Sequence, residues 1–342
     1  ELTLMPGLID CHCHLALDGL DFAKTTERWT NPEALDAQLK WELNEYLSKG
    51  VLTVRDGGDK RDIGLSTAGR VVAGELPGPL ILPSGRAIYR QGRYGSFLGH
   101  GIARLSEAAA IIQQLASRGA TQIKVLVSGI VSFSVYGKVG DPQFSVSELT
   151  EITRLAHSLG LPVMAHASSE EAVRISLRAG VDSLEHGYFI SRDSLAALAD
   201  SGITWVPTIV PVANQVVKPH LRAGYTGSEI DVISQTYREH MEKLPLADHL
   251  GVKLAIGTDA GASGVLHGQS LAEEMQLFLA GGLPMDKVLK AATSEAADTL
   301  GVSRRQGTIS PGRLPRLIGV ASNPLAGMDF VHNIAVILIP EN

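Results

Sequence analysis

Cysteine is scarce: the 342 residues hold two, Cys11 and Cys13. A pair separated by one residue cannot build a framework of disulfides, so nothing calls for an oxidising compartment and the cytoplasm is the expected location. A basic surplus is absent as well. The formal net charge is -6 and no long lysine and arginine cluster compensates, so nucleic acid is not an expected partner. No apolar run approaches the roughly 20 residues that span a bilayer, because glycine, proline or charge interrupts each one; a membrane partner is not expected either. A glycine-rich dinucleotide fingerprint is missing, which argues against an open doubly wound sheet. The chain opens at Glu1 without an initiator methionine and runs directly into an apolar stretch, so a segment upstream, a signal peptide among the options, is expected.

What is present is apolar mass. Hydrophobic residues make up 44% and charged residues 19% of the chain, enough for one large core or a core with a small appendage. One pattern recurs: an amphipathic helical stretch, a glycine, then a short β-like run. Gly50, Gly119, Gly160, Gly180, Gly202 and Gly251 precede runs at residues 51–54, 122–127, 162–166, 183–186, 204–210 and 253–258. Helix starts are marked by Asn31-Pro32, by Ser106-Glu107 and by Ser145 with Glu148, a capping box. Adding runs at 8–14 and 80–84 gives eight strands alternating with helices, which predicts an α/β fold, a (β/α)8 TIM barrel. The pattern changes after Thr293 to a short helix at 294–300 and strands near 317–320 and 334–339. Such strands cannot bury a core alone, so they read as part of a small β-sandwich unit that pairs with strands from the upstream segment. The expected division is a barrel over 5–305 and the β-unit over 306–342. Long connections at 85–105, 128–144 and 211–229 all follow strands, on the face where a barrel keeps its active site.

Cys11-His12-Cys13-His14 ends the first of these strands. Alternation along a strand turns His12 and His14 to one side and the cysteines to the other. Two imidazoles on a rigid strand can hold a divalent metal. A Cys2His2 zinc site is excluded by the spacing, since paired ligands need two or more residues between them, and the cysteines read as small buried apolar residues. Taken alone, the histidine pair fits a metal site and an ordinary packed pair equally well. The other strand ends supply company: Lys124 on the fourth, His166 on the fifth, His186 on the sixth and Thr258-Asp259 on the eighth. All of them fall on one rim of the expected barrel.

Together these residues resemble the amidohydrolase superfamily. The matching segments are Pro6-Gly7-Leu8-Ile9-Asp10-Cys11-His12-Cys13-His14, Lys124-Val125 with Ser128-Gly129, Ala165-His166-Ala167, Glu185-His186-Gly187 and Gly257-Thr258-Asp259-Ala260-Gly261. The likeness is greatest to the prolidase-like dipeptidases and related amidases, imidazolonepropionase among the relatives. It implies a binuclear centre of two divalent ions, zinc as the first expectation, in which His12, His14 and Asp259 hold one metal and His166 and His186 the other. It implies a carbamate on Lys124 bridging both, because a charged lysine cannot ligate a cation. The implied reaction is hydrolysis of an amide-type C–N bond in an N-acyl amino acid, dipeptide or related amide by a metal-activated hydroxide, with Asp259 moving the proton. Asp10 would orient a ligand from behind. The implied partners are a small-molecule substrate and further copies of the chain.

Two departures stand out against that family. Related dipeptidases carry a histidine after the third strand, for which His100 is the equivalent, with a shifted spacing. They also carry a tyrosine after the seventh strand, where this chain reads Pro207-Thr208-Ile209-Val210-Pro211-Val212-Ala213. Without that phenol the pocket has less provision for a free carboxylate, so a neutral or N-substituted amide, carbamate or urea becomes the expected preference. Tyr94, Tyr188 and His267 are candidate substrate contacts. The competing functions are a ring deaminase, which Lys124 argues against, and a non-catalytic barrel serving as an assembly module, which the full ligand set argues against.

Overall fold

The computed structural model describes residues 2–340. Its strands are β1 (Thr3–Pro6), β2 (Leu8–Cys13), β3 (Val51–Asp56), β4 (Leu80–Pro83), β5 (Ile123–Leu126), β6 (Val163–Ala167), β7 (Ser183–His186), β8 (Thr204–Val206), β9 (Leu317–Val320) and β10 (Ile334–Leu338). Between them run α1 (Phe22–Arg28), α2 (Pro32–Ser48), α3 (Ile63–Val72), α4 (Ser106–Ser117), α5 (Val146–Ser158), α6 (Glu170–Ala179), α7 (Arg192–Ser201), α8 (Val210–Val217), α9 (Gly227–Leu250), α10 (Gln269–Ala280), α11 (Met285–Ala291) and α12 (Ser294–Thr299). Two parallel sheets result, in the orders β2-β3-β4 and β5-β6-β7-β8. No described helix is long and apolar enough to cross a membrane.

The local chemistry places these elements as the sequence marks them. Asn31 caps α2 through Ala34 N with Pro32 in the first turn, and Ser145 and Glu148 close the capping box of α5. Gly180 and Gly202 end α6 and α7 at φ 70° and 76°, a conformation that costs a side chain dearly and glycine little. Residues 253–260 are not a continuous strand, yet they run between β8 and β2. Trp205 N donates to Lys253 O at 2.8 Å, Cys11 N to Ile256 O at 2.9 Å and Thr258 N to His12 O at 3.2 Å. On the other side Thr121 N donates to Pro83 O, and Ile88 pairs in parallel with Val125.

Two expectations change. The run at 204–210 stops being a strand at Val206, and Val210 starts α8, so the connection at 211–229 is largely helical. Apolar periodicity cannot separate a short buried strand from a short buried helix. Here Glu274 of α10 decides, since its two carboxylate oxygens accept Ile209 N at 2.8 Å and Val210 N at 2.7 Å. The second change concerns the C-terminal strands. β9 lies between β10 and β1, both antiparallel to it, so its neighbour from the start of the chain is Thr3–Pro6. Residues 341–342 of the expected β-unit lie outside the described residues.

Candidate metal centre and substrate cavity

Register brings the strand-end residues to one level. Leu126 pairs with His166 across β5 and β6, Ala167 with His186 across β6 and β7, and Cys13 bridges to Ala260, beside Asp259. His12 Nε2 then lies 3.1 Å from Lys124 Nζ and 3.4 Å from Asp259 Oδ1, while His14 Nε2 lies 3.5 Å from the same oxygen. The ring of His186 is centred 5.1 Å from that of His12 and 4.5 Å from that of His166. Cys11 and Cys13 are fully buried on the opposite side of β2 as free thiols. Strict alternation would also send Glu185 and His186 to opposite faces. His186 escapes it with φ 69°, and Asp259 and Thr208 have φ 60° and 46°. Such backbone costs a non-glycine residue about 1–3 kcal/mol and gathers where a site demands it.

Each of the four imidazoles has one nitrogen tied to a protein acceptor. His12 Nδ1–H donates to Glu185 Oε2 at 2.8 Å, His14 Nδ1–H to the Gly58 carbonyl at 3.0 Å and His166 Nε2–H to the Gly129 carbonyl at 3.2 Å. His186 Nδ1–H donates to Thr208 Oγ1 at 2.7 Å, the Thr208 hydroxyl having given its own proton to Pro207 O. The other nitrogen of every ring is thereby left with its lone pair. Donor atoms of His12, His186 and Asp259 all lie within 4.8 Å of one another. Lone pairs facing a carboxylate oxygen repel as three acceptors and attract as three ligands of one cation, so this donor set fits a divalent metal.

Charge at the centre follows from burial. Desolvation, then the Lys124 ammonium, holds the His12 imidazole well below its usual range, and burial holds His14 and His166 down to about 3. All are neutral, the form that ligates metal. Burial also raises the Asp259 carboxyl to about 7 and lowers the Lys124 amine to about 8. Lys124 is 1% exposed and, among the described residues, has no ion-pair partner. The buried cation that does have one is Arg55 of β3, whose Nη2 lies 2.8 Å from Glu185 Oε1. Glu185 therefore joins Arg55 to His12. The sequence places Glu185 within a motif without a role; the signal was an acidic residue inside one of the expected barrel strands, where burial demands that a carboxylate be paired. Asp10 accepts His12 N, Thr258 N and Thr258 Oγ1, tying the strand of His12 to the segment of Asp259.

Above the centre opens a cavity of about 700 Å³ whose wall includes His14, Lys124, His166, His186 and Asp259. Tyr94 and Tyr188 line it as well. The ring of Tyr188 stacks on His186 at 5.8 Å and its hydroxyl donates to Thr208 O, while Tyr94 sits 5.7 Å from His166. Two expected site residues are elsewhere. His267 is buried, with Nε2 2.6 Å from Leu17 O and Nδ1 2.9 Å from the Tyr46 hydroxyl, so both nitrogens serve packing. His100 is exposed and lines a separate cavity with Lys60, Arg61 and Arg86. Replacing His100 with alanine is therefore expected to leave kcat/KM for an amide within about twofold, as for other surface changes; a loss beyond tenfold in steady-state kinetics would return it to the site.

The comparisons agree with this architecture. A model of the amidohydrolase family matches residues 3–338. An uncharacterized protein of Mycobacterium tuberculosis is 28% identical over 308 residues, covering 87% of this chain and 74% of its own length. Ochratoxinase of Aspergillus niger is 25% identical over 361 residues, covering 94% of this chain and 71% of its own. A crystal structure of a Xaa-Pro dipeptidase with methionine in its active site superposes with a TM-score of 0.86 at 26% identity, over 99% of this chain and 86% of that one. With a family model spanning all ten strands, and a TIM barrel implied by the solved neighbours, this chain belongs to the amidohydrolase family.

Proposed function

We propose that the chain is a metal-dependent hydrolase of amide-type C–N bonds in small molecules. The observation that carries this reading is the set of four imidazoles, each with one nitrogen tied to a protein acceptor and the other left with its lone pair, grouped around Asp259 and Lys124. In it, the two parallel sheets close into one barrel, with residues 253–260 as the eighth strand, and β1, β9 and β10 belong to a small β-sandwich. His12, His14 and Asp259 would hold one divalent ion, and His166 and His186 a second. Lys124 would bridge both as a carbamate, formed when the neutral amine adds to carbon dioxide and releases a proton. Zinc suits this nitrogen-rich set, with manganese, cobalt and iron compatible. Bound there, such ions polarise a carbonyl and bring the pKa of a water toward neutrality.

The chain's own groups supply the rest. Glu185, Gly58, Gly129 and Thr208 fix the ring orientations, so no histidine has to reorganise during a turnover. The Asp259 side chain, 18% exposed at the cavity wall, takes the proton of the attacking water and returns it to the departing nitrogen. Tyr94 and Tyr188 pack against the substrate and keep bulk water from the centre. The ochratoxinase and Xaa-Pro dipeptidase relatives support the choice of an amide-type bond. Elemental analysis of purified protein, combined with a screen of N-acyl amino acids, dipeptides, carbamates and ureas, tests the reading. About two metals per chain with hydrolysis of one class is the expected result; one metal with ring deamination, or no metal and no turnover, would replace it with a deaminase or an assembly module.

A further inference from the structure

The wall of the cavity has an uneven chemistry. Its aromatic and aliphatic side chains include Leu20, Phe22, Tyr94, Phe97, Phe133 and Tyr225. Among the described residues it contains no arginine, and its one lysine is Lys124 of the centre itself. Three carboxylates besides Asp259 line it, and each is engaged. Asp18 pairs with Arg28 at 2.6 Å, Asp21 caps α1 through Lys24 N and Glu229 caps α9 through Thr226 N. Of the basic side chains around the wall, Arg28 and Lys24 are taken up by Asp18 and Asp21, and Lys60, Arg61 and Arg86 line the adjacent cavity of about 680 Å³. Phe22 and Phe97, packed edge to face at 5.4 Å, line both cavities and stand between them.

A carboxylate carried into such a wall would lose its hydration and, away from the centre, meet no unpaired guanidinium or ammonium in exchange, whereas a carboxamide, an anilide or an N-alkyl group of the same shape loses far less. Burying its apolar surface against the aromatic wall is favourable for either guest, so charge alone separates them. We propose that this enzyme takes amides, carbamates or ureas whose groups on both sides of the scissile bond are uncharged and apolar, and discriminates against substrates with a free carboxylate next to that bond. The proposal rests on the C–N hydrolase reading and narrows it to a substrate class.

The test uses the metal-loaded full chain and three compounds: N-acetyl-Met-Phe, its C-terminal carboxamide, and acetanilide, with products followed by chromatography. The expected result is a kcat/KM for the carboxamide or the anilide at least about tenfold above that of the free acid, the difference residing in KM. Equal values, or a preference for the free acid, would overturn the substrate class while leaving the hydrolase standing. Failure to cleave any of the three, in protein that carries its metal, would overturn both. A variant separates charge from shape. Ile130 lines the cavity yet is 58% exposed, so Ile130→Arg adds a cation to the wall without disturbing the core. It is expected to narrow the ratio several-fold in favour of the free acid; a ratio unmoved in the folded variant would overturn charge as the basis of the preference.

Discussion

Lys124→Ala is expected to lower kcat by roughly 1000-fold or more, about 4 kcal/mol of barrier, and to remove most of one metal per chain. The reasoning starts from burial. A lysine 1% exposed and, among the described residues, without an ion-pair partner is an expensive residue to keep in a strand unless its chemistry is used. It lies in the middle of β5, paired in register with Met164, where alanine would preserve every backbone hydrogen bond. Desolvation lowers its amine to about 8, so a fraction is uncharged near neutral pH and can react with carbon dioxide. The alanine variant should fold, keep His12, His14 and Asp259 as one set of donors and lose the group that, in the proposed function, links them to His166 and His186. Elemental analysis together with steady-state kinetics checks this. Retention of both metal content and activity would show that Lys124 is not a ligand and would leave it as a buried packing residue.

Which residues share a level of the strands was legible in the sequence, because that depends on register; where the loops go was not. His12 and His14 could be placed on one side of β2 because alternation is a property of any strand, and both approach Asp259 as that rule requires. Lys124, His166 and Asp259 could be aligned because helix caps and strand-entry glycines set the length of each unit. His186, and Asp259 with it, also needs a left-handed φ that no residue pattern announces. The histidines of the connections lie away from the expected rim for a related reason. His267 finds Leu17 O and the Tyr46 hydroxyl, and His100 finds solvent beside Arg86, and both outcomes depend on loop paths with no periodicity to read. The α8 helix was hidden because its cap, Glu274, comes from an element more than 60 residues later in the chain.

Glu185 is the residue behind the centre on which most converges, and Glu185→Gln tests that role. One carboxylate oxygen accepts His12 Nδ1–H while the other accepts both Arg55 Nη2 and the Ser183 hydroxyl, and the side chain is fully buried. Glutamine has one acceptor oxygen and an NH2 group that donates. If the NH2 faces His12, the imidazole must shift its proton to Nε2 and loses the lone pair that points into the site. If it faces Arg55, the buried guanidinium loses one of its three acceptors, keeping Cys11 O and Ser183 Oγ, and the Ser183 hydroxyl loses its own. Either arrangement removes the charge that balances Arg55. The expected result is a loss of about 10- to 100-fold in metal affinity or activity, with a loss of roughly 3–5 kcal/mol in stability of the metal-free protein. Metal-competition titration and denaturant unfolding read the two effects separately. Arg55→Met distinguishes orientation of His12 from general weakening, because it leaves the contact between His12 and Glu185 in place. That variant should lose stability and hold its metal within a few-fold. Equal metal affinity in the wild type and in Glu185→Gln would mean that the His12 ring is held by packing alone, and Glu185 would then serve Arg55 and the joint between β3 and β7 instead of the chemistry.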